Sequence, residues 1–277
     1  MGSIRLYLPL AIFILSTSII GFGFVIPHSA IAGFNSLTLG FASTILGAGL
    51  TYFTGMQMAL RPARQCPLPL RVRINRWINA QAAHPRGLFA KFLAWKWRRD
   101  HLAINRETIA LLGLKSSDRV LEIGFGPGDA LRNVLRRAHS AIGLDVSDAM
   151  LAAARKRNRR AIAKGRLVLR LIQDGELGLE AASIDRAYTV HVIYFWKHAE
   201  ATIAHIADAM RPGGRLVIAM RPDTKALPAR FRDPSYRFYT SDAVEAMLSE
   251  TGFTEVKTLS RPEISKDVVW ILGERRA

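Results

Sequence analysis

An acidic residue followed by three glycines at alternate positions is the pattern in this chain best suited to holding a ligand. It occupies Glu122–Gly128, directly after an apolar run that is typical of a buried strand. Glycine permits positive φ and lets a ligand lie against the main chain, where a Cβ would collide. A second apolar run ends on Asp145, and in a doubly wound sheet such an acid lies beside the loop and accepts hydrogen bonds from a ribose diol. The chemistry indicated is the binding of a nucleotide or nucleoside.

The glycine spacing separates two kinds of nucleoside ligand. A dinucleotide-binding loop has its third glycine three residues after the second, but here Asp129 holds that place and the third glycine comes early, at Gly128. The stretch resembles instead the first motif of the class I S-adenosylmethionine-dependent methyltransferases, an acid followed by Gly-x-Gly-x-Gly. In that family the loop packs against the methionine and ribose parts of the cofactor.

The resemblance extends over three further motifs in the family's order. Gly143–Ser147 resembles the second motif, Gln173-Asp174 stands where the family places an acid near the adenine amino group, and Met210–Ile218 resembles the turn and the fifth strand. The resemblance implies S-adenosyl-L-methionine as cofactor and no metal. The residues it implies around the cofactor are Glu122, Gly124, Gly126, Gly128, Asp145, Val146, Asp174, Gly175 and His191.

The acceptor side of the site is predicted at the end of the fourth strand, where similar methyltransferases place residues facing substrate and cofactor. Many of them have Asn at the position of His191, so this histidine is either a general base or a hydrogen-bonded structural residue. Tyr194 is the second candidate catalytic residue. With Phe195 and Trp196 it either walls an apolar pocket or surrounds the sulfonium. For Phe195, a hydrophobic seam beneath the next helix is the alternative.

Alternating strand and helix patterns predict the elements that position these residues. The fold class expected is α/β, a doubly wound and mostly parallel sheet whose family form has seven strands and a final antiparallel hairpin. The predicted helices are 101–112, 129–137, 148–164, 199–210 and 241–251. The predicted strands begin near 120 and 141 and then occupy 167–172, 184–192, 215–220, 253–259 and 267–273.

Residues 1–60 predict a transmembrane hairpin in front of this domain. The runs 6–26 and 31–60 carry no charged residue, and each is long enough to cross a hydrocarbon core of about 30 Å. The competing interpretation is a signal peptide cleaved after Ala30-Ile31-Ala32, which would export the catalytic domain to a compartment without its cofactor. Five arginines follow the second run, so the positive-inside rule places the catalytic domain in the cytoplasm.

Residues 61–100 predict a basic linker, and residues 101–277 the methyltransferase domain. The first 99 residues contain no Asp or Glu but 11 Lys and Arg. Apolar side chains at helical spacing in Leu88–Arg99, flanked by cations, indicate an amphipathic helix. This helix lies either on an anionic membrane or as a cap over the cofactor.

The single cysteine, Cys66, excludes an internal disulfide and a CxxC metal site. We expect no nucleic-acid partner, because membrane spans explain the basic segment and the Asn-Pro-Pro-Tyr motif of base methyltransferases is absent. The expected partners are membrane lipids and a lipophilic small-molecule acceptor, and the sequence leaves the oligomeric state open.

The function predicted is membrane-anchored methyl transfer from S-adenosylmethionine to a lipid, a quinone or another apolar small molecule. Two alternatives stay open. One is a tethered methyltransferase for a soluble small molecule, and the other is a non-catalytic membrane protein that binds S-adenosylmethionine. The sequence does not identify the acceptor atom.

Overall fold

The computed structural model describes residues 70–173, 177–224, 227–228, 231 and 234–276. The predicted spans 6–26 and 31–60 lie outside these residues. Within the part of the chain that is described, no helix has both the length and the apolar character required to cross a bilayer. Residues 69–277 form one compact unit.

Seven strands form one sheet, which confirms the predicted fold class. They are β1 Arg119–Ile123, β2 Ser140–Asp145, β3 Leu167–Leu171, β4 Ile184–Val190, β5 Met210–Met220, β6 Phe253–Arg261 and β7 Ser265–Arg275. Their spatial order is β3-β2-β1-β4-β5-β7-β6. The first five pair in parallel, whereas β7 is antiparallel to both β5 and β6. Because helices cover both faces, the central strand β1 is buried at four of its five positions, Val120–Ile123.

Seven helices are described. They are α1 Leu70–Ala83, α2 Gly87–Asp100, α3 Leu102–Leu111, α4 Asp129–Val134, α5 Asp148–Ala163, α6 Ala199–Ala209 and α7 Ser241–Glu250. One core cluster lies where α6 and α7 meet the sheet, with Ile203, Ile206 and Leu248 fully buried. The other lies on the side of α3, α4 and α5 and includes Leu131 and Trp270.

Helix α1 is the main element that the sequence analysis missed. It lies inside the segment predicted as a linker, and Pro85 separates it from α2, because proline disfavours helical geometry in the residue before it. Helix α2 packs on the sheet domain, since its Ala90 and Leu93 are buried, and α1 packs against α2. The Ser147 hydroxyl also donates a hydrogen bond to the Pro85 carbonyl over 2.7 Å. In this compact unit α1 and α2 therefore form a cap.

The fourth strand is shorter than predicted, ending at Val190 rather than at residue 192. His191 has φ 59°, which turns the chain out of the sheet into a single 3₁₀ turn at Ile193–Phe195. The apolar residues on both sides of His191 continue the strand pattern, so the local sequence did not reveal this turn. Its consequence is that Tyr194, Phe195 and Trp196 leave the sheet edge as a compact group.

A buried hydrogen bond fixes α3 to the far side of the sheet. The indole nitrogen of Trp270 donates to the Thr108 hydroxyl over 2.9 Å, and both residues are fully buried. Thr108 in turn donates to the Ile104 carbonyl over 2.8 Å. Because α3 begins directly after His101, this anchor also sets the position of that histidine.

We predict that Thr108→Val lowers the free energy of unfolding by about 1–3 kcal/mol, because the buried indole N–H loses its acceptor. Urea denaturation measures the change. Thr254→Val is the matched control, because its hydroxyl is only partly buried and donates over 3.3 Å, and it should change stability by less than about 0.5 kcal/mol. Equal losses in the two variants would contradict the anchor.

Candidate functional site

A cavity of about 680 Å³ opens beyond the carboxyl ends of β1, β2 and β4. This is the edge of an open parallel sheet at which ligands bind. The predicted site residues that line it are Glu122, Gly124, Gly126, Asp145, Val146, His191 and Tyr194. Asp174 and Gly175 lie outside the described residues. The fold therefore brings seven of the predicted residues to one cavity.

The glycine loop is held open at Gly126. This residue has φ 49°, and a Cβ built on it meets nothing within 4 Å, so its main chain faces free space. The Gly126 amide donates to the Asp145 carboxylate over 2.8 Å. A ligand can therefore approach the backbone closely here, as the sequence pattern predicted.

Gly128 lies behind the loop and does not line the cavity. It has φ 76°, and an added Cβ would fall 2.8 Å from the Ala154 Cβ and 2.7 Å from the Asn158 amide nitrogen. Asn158 donates from that nitrogen to the Gly128 carbonyl over 3.0 Å. In this structure the third glycine lets the loop pack against α5.

Asp145 is a buried carboxylate with two backbone donors. Its Oδ1 accepts from the Ser147 amide over 2.9 Å, and its Oδ2 accepts from the Gly126 amide. Burial raises the pKa of Asp145 to about 6, and these hydrogen bonds oppose the rise. At pH 7 the group is mostly ionised, and each oxygen retains a lone pair for a ligand hydroxyl.

Glu122 is the second buried carboxyl of the cavity and is poorly satisfied. Its Oε2 has no hydrogen-bond partner among the residues that the structure describes. Burial, the largest effect, raises the pKa of Glu122 to about 8; the Tyr188 hydroxyl opposes this rise and the charge of Asp145 adds to it. The group is therefore largely protonated at pH 7, and a cation entering the cavity would favour its ionised form.

The rings of His101 and His191 also line the cavity, and they lie against each other. The ring centroids of His101 and His191 lie 4.8 Å apart, and the Trp97 ring stacks on His101 at 6.4 Å. His191 Nδ1 lies 2.7 Å from the Tyr194 hydroxyl, which also accepts from the Arg221 amide over 2.8 Å. Burial lowers the pKa of His191 to about 3 and that of His101 to about 4. Both rings are neutral at physiological pH.

Two groups of cavity residues were not among the predicted site residues, although a cap over the cofactor was one of the two interpretations of Leu88–Arg99. The cap contributes Asn75, Ile78, Asn79, Leu93, Trp97 and His101, and the connection between β5 and α7 contributes Arg221, Phe231, Tyr236 and Phe238. The apolar spacing of Ile74, Trp77 and Ile78 was a signal for α1, because residues three and four apart share a helix face. No local pattern linked the second group to the site.

Comparison with known proteins settles the family. A family model described as a methyltransferase domain matches residues 121–218. The uncharacterized methyltransferase YdaC of Bacillus subtilis is 35% identical over 127 residues, which cover 44% of this chain and 67% of YdaC. The chain belongs to the class I S-adenosylmethionine-dependent methyltransferases. It is an enzyme of that family, and its cofactor is S-adenosyl-L-methionine.

Other relatives are more distant. The demethylmenaquinone methyltransferase of Tropheryma whipplei is 29% identical over 134 residues, and the match spans about half of each protein, 48% of this chain and 53% of the relative. Among solved structures, the putative methyltransferase bound to the Haloferax volcanii Trm112 activator has a TM-score of 0.58 at 16% identity, over 66% of this chain and 93% of that one. Phosphoethanolamine N-methyltransferase 2 of Haemonchus contortus has a TM-score of 0.58 at 17% identity, over 66% of this chain and 57% of that one. These two similarities show the fold.

The residues around the cavity fit this cofactor. An orphaned buried oxygen on Glu122 suits the methionine ammonium group, the lone pairs of Asp145 suit the ribose hydroxyls, and the open backbone at Gly126 leaves room for the ligand. The cofactor supplies a methyl group already activated on a sulfonium. The protein therefore has to bind, orient the acceptor and exclude water.

We predict that the methyl donor binds more tightly as the pH rises from 6 to 7, where its ammonium group stays charged, because this cation favours the ionised form of Glu122. The pKa of Glu122 is about 8 without the donor and falls when the donor binds, so binding near pH 7 releases about one proton. Calorimetry in buffers of different ionisation enthalpy measures that proton.

In Glu122→Gln this release should disappear, and the pH dependence over the same range should flatten. Glu250→Gln, an exposed carboxyl at the end of α7, is the matched control and should behave as the unmodified protein. Equal proton release by Glu122→Gln and the unmodified protein would show that Glu122 does not sense the donor.

Proposed function

We propose that this enzyme transfers the methyl group to an apolar acceptor, a quinone-type or other lipophilic molecule drawn from a membrane. The observation that carries the proposal is the aromatic wall on the acceptor side of the cavity. Phe195 and Tyr236 have ring centroids 5.1 Å apart, Tyr236 and Phe238 5.6 Å, and Phe238 and Tyr194 4.6 Å. Such a wall favours a flat apolar molecule, because its burial releases water from both surfaces.

The similarity to demethylmenaquinone methyltransferases supports the same acceptor class. Two sequences from Tropheryma whipplei strains match about half of this chain at 29% identity. Their printed names state a quinone acceptor for those proteins. An acceptor of that class agrees with a cavity whose acidic groups lie at the sheet edge and most of whose aromatic rings lie outside the sheet.

The cap supports a membrane source for the acceptor. Trp77, Phe89, Phe92 and Trp95 form a continuous row across its outside, with successive ring centroids 4.6, 5.7 and 6.1 Å apart. Trp77, Phe92 and Trp95 are about half exposed, and the Arg99 guanidinium lies 5.4 Å from the Trp95 ring. Amphipathic aromatic rings beside cations favour the interface of an anionic bilayer.

The sequence before the cap also supports a membrane source for the acceptor. Its two uncharged runs, 6–26 and 31–60, are long enough to span, and the basic residues that follow favour the cytoplasmic side for the catalytic unit. We therefore propose an anchored enzyme whose cavity lies beside the bilayer and faces the cytoplasm. Membrane lipids are then its partners as well as the solvent of its acceptor.

Transfer of labelled methyl from S-adenosylmethionine to native membranes tests the proposal. We expect the label in the fraction soluble in organic solvent, and its loss in Asp145→Ala because the carboxylate that holds the loop is removed. Label confined to water-soluble products would indicate a tethered enzyme for a soluble acceptor. Donor binding without label in any fraction would indicate a non-catalytic protein.

We predict that Trp95→Ala lowers methylation of acceptors embedded in anionic vesicles severalfold, because a half-exposed indole no longer partitions into the interface. Its affinity for the donor, measured by calorimetry, should not change. Val168→Ala on β3 is the matched control, since Val168 is also about half exposed but belongs to the sheet and not to the aromatic row. Equal losses in both variants would contradict a role for the aromatic row.

A further inference from the structure

His191 is held in an unfavourable backbone conformation that directs the chain past the cavity. Its φ of 59° lies in the left-handed region, which few residues other than glycine adopt. The His191 amide donates to the Ala219 carbonyl over 2.9 Å, which ties the strained residue to β5. Strain of this kind is retained where the surrounding structure enforces it, and it clusters at functional sites.

The hydrogen bonds around Tyr194 set the tautomer of His191. The Tyr194 oxygen accepts from the Arg221 amide, so its own hydrogen must go to another acceptor. His191 Nδ1, at 2.7 Å, is the acceptor recorded in the described part of the chain. A neutral imidazole with an unprotonated Nδ1 carries its hydrogen on Nε2. With the Tyr194 hydrogen on Nδ1, His191 is a hydrogen-bond donor through Nε2, and its lone pair is engaged.

His101 differs from His191 in the hydrogen bonds that its ring makes. Its ring lies close to those of Trp97 and His191, lines the cavity, and makes no hydrogen bond to any of the residues described in the structure. The charged groups acting on it are Asp100, Lys96 and Arg221, and His191 is its neutral neighbour. Burial outweighs the effect of Asp100, so the ring is neutral and has one unengaged lone pair.

We propose that His101 is the catalytic proton acceptor of this methyltransferase, and that its substrate presents an ionisable hydroxyl group, as a phenol or quinol does. His191 donates through Nε2 to the oxygen that loses the proton, and Tyr194 is the positioning residue that holds this tautomer. The inference rests on the proposed function and deepens it, because a neutral amine acceptor would need no proton acceptor.

The step balances without a further reactant. The acceptor oxygen forms a bond to the methyl carbon, the S–CH₃ bond breaks with its electron pair left on sulfur, and the hydroxyl proton passes to His101. The imidazolium then releases the proton to water. In a dry cavity the developing oxyanion and imidazolium attract each other strongly, which offsets the burial that lowers the pKa of the ring.

The pH dependence has a definite sign. The pKa of His101 is lowered to about 4, so its base form is present above that pH and is lost as the pH falls through it. At saturating donor, the turnover rate should therefore not change across pH 6–8 with the inflection expected of an ordinary histidine near 6.5. The NMR titration of the His101 ring in the unmodified protein should show the same low pKa.

Proton acceptance can be measured without turnover, using 4-nitrophenol as the probe in the full-length protein saturated with S-adenosylhomocysteine. Its anion absorbs at longer wavelength than the neutral form. We expect the bound phenol to ionise at a lower pH than in buffer, and the shift to vanish in His101→Phe, which keeps a flat ring beside Trp97 and His191. Binding without a shift in the unmodified protein, or an equal shift in His101→Phe, would overturn the assignment.

Chemical rescue tests the same residue during turnover. With extracted membrane lipids as acceptor, His101→Ala should lose about 10²–10⁴-fold in kcat, while its affinity for S-adenosylhomocysteine changes little. Added imidazole should restore part of the rate, which it would not do for a structural role. His205→Ala, at an exposed position on α6, is the control and should keep the full rate. A large loss that imidazole cannot restore would contradict a role as proton acceptor.

These two measurements separate this inference from the proposed function. If the unmodified protein methylates only water-soluble acceptors, the membrane acceptor is wrong, but the phenol shift and the imidazole rescue still decide the role of His101. If the membrane acceptor is methylated and His101→Phe keeps the full rate, the proposed function holds and the assignment of His101 fails.

Discussion

The rest of the site depends on the way the Asp145 carboxylate ties three segments together. One oxygen accepts from the glycine loop at Gly126 and the other from Ser147, the residue that caps α5. Ser147 then donates to Pro85 and so attaches the cap. A buried carboxylate with two amide donors is stable where an isolated one would not be. The same group that suits a ribose therefore also holds the walls of the cavity.

The cavity is a composite of the sheet edge and the cap. The sheet contributes acidic groups, Glu122 and Asp145, whereas the cap and the connection after β5 contribute aromatic rings and His101. The acidic groups that suit the donor therefore lie at the sheet edge, and most of the aromatic rings lie outside the sheet, beside polar residues such as Asn79 and Arg221. Many methyltransferases share this fold, yet the fold does not identify the acceptor. The residues left to contact the acceptor lie outside the motifs that define the fold.

Sequence patterns predicted the strands, the loop and the residues Glu122, Gly126 and Asp145, because each depends on a few neighbours in the chain. Three features of the structure could not be predicted from neighbouring residues in the chain. Gly128 packs against α5 and does not line the cavity, β4 ends early at His191, and α1 belongs to the compact unit. Each of these outcomes depends on contacts with residues far away in the sequence.

The sequence by itself determined the family and the donor, since a glycine loop between a strand and a helix encodes its own geometry. The sheet followed from the alternation of strand and helix patterns along the chain. Tertiary structure alone decided which groups face the acceptor. His101 and Arg221 are 120 residues apart, and they meet near Tyr194 only because the cap folds over the end of β4. The Tyr194 hydroxyl likewise joins His191 Nδ1 to the Arg221 amide, 27 residues further along the chain, because the ends of β4 and β5 lie side by side in the sheet.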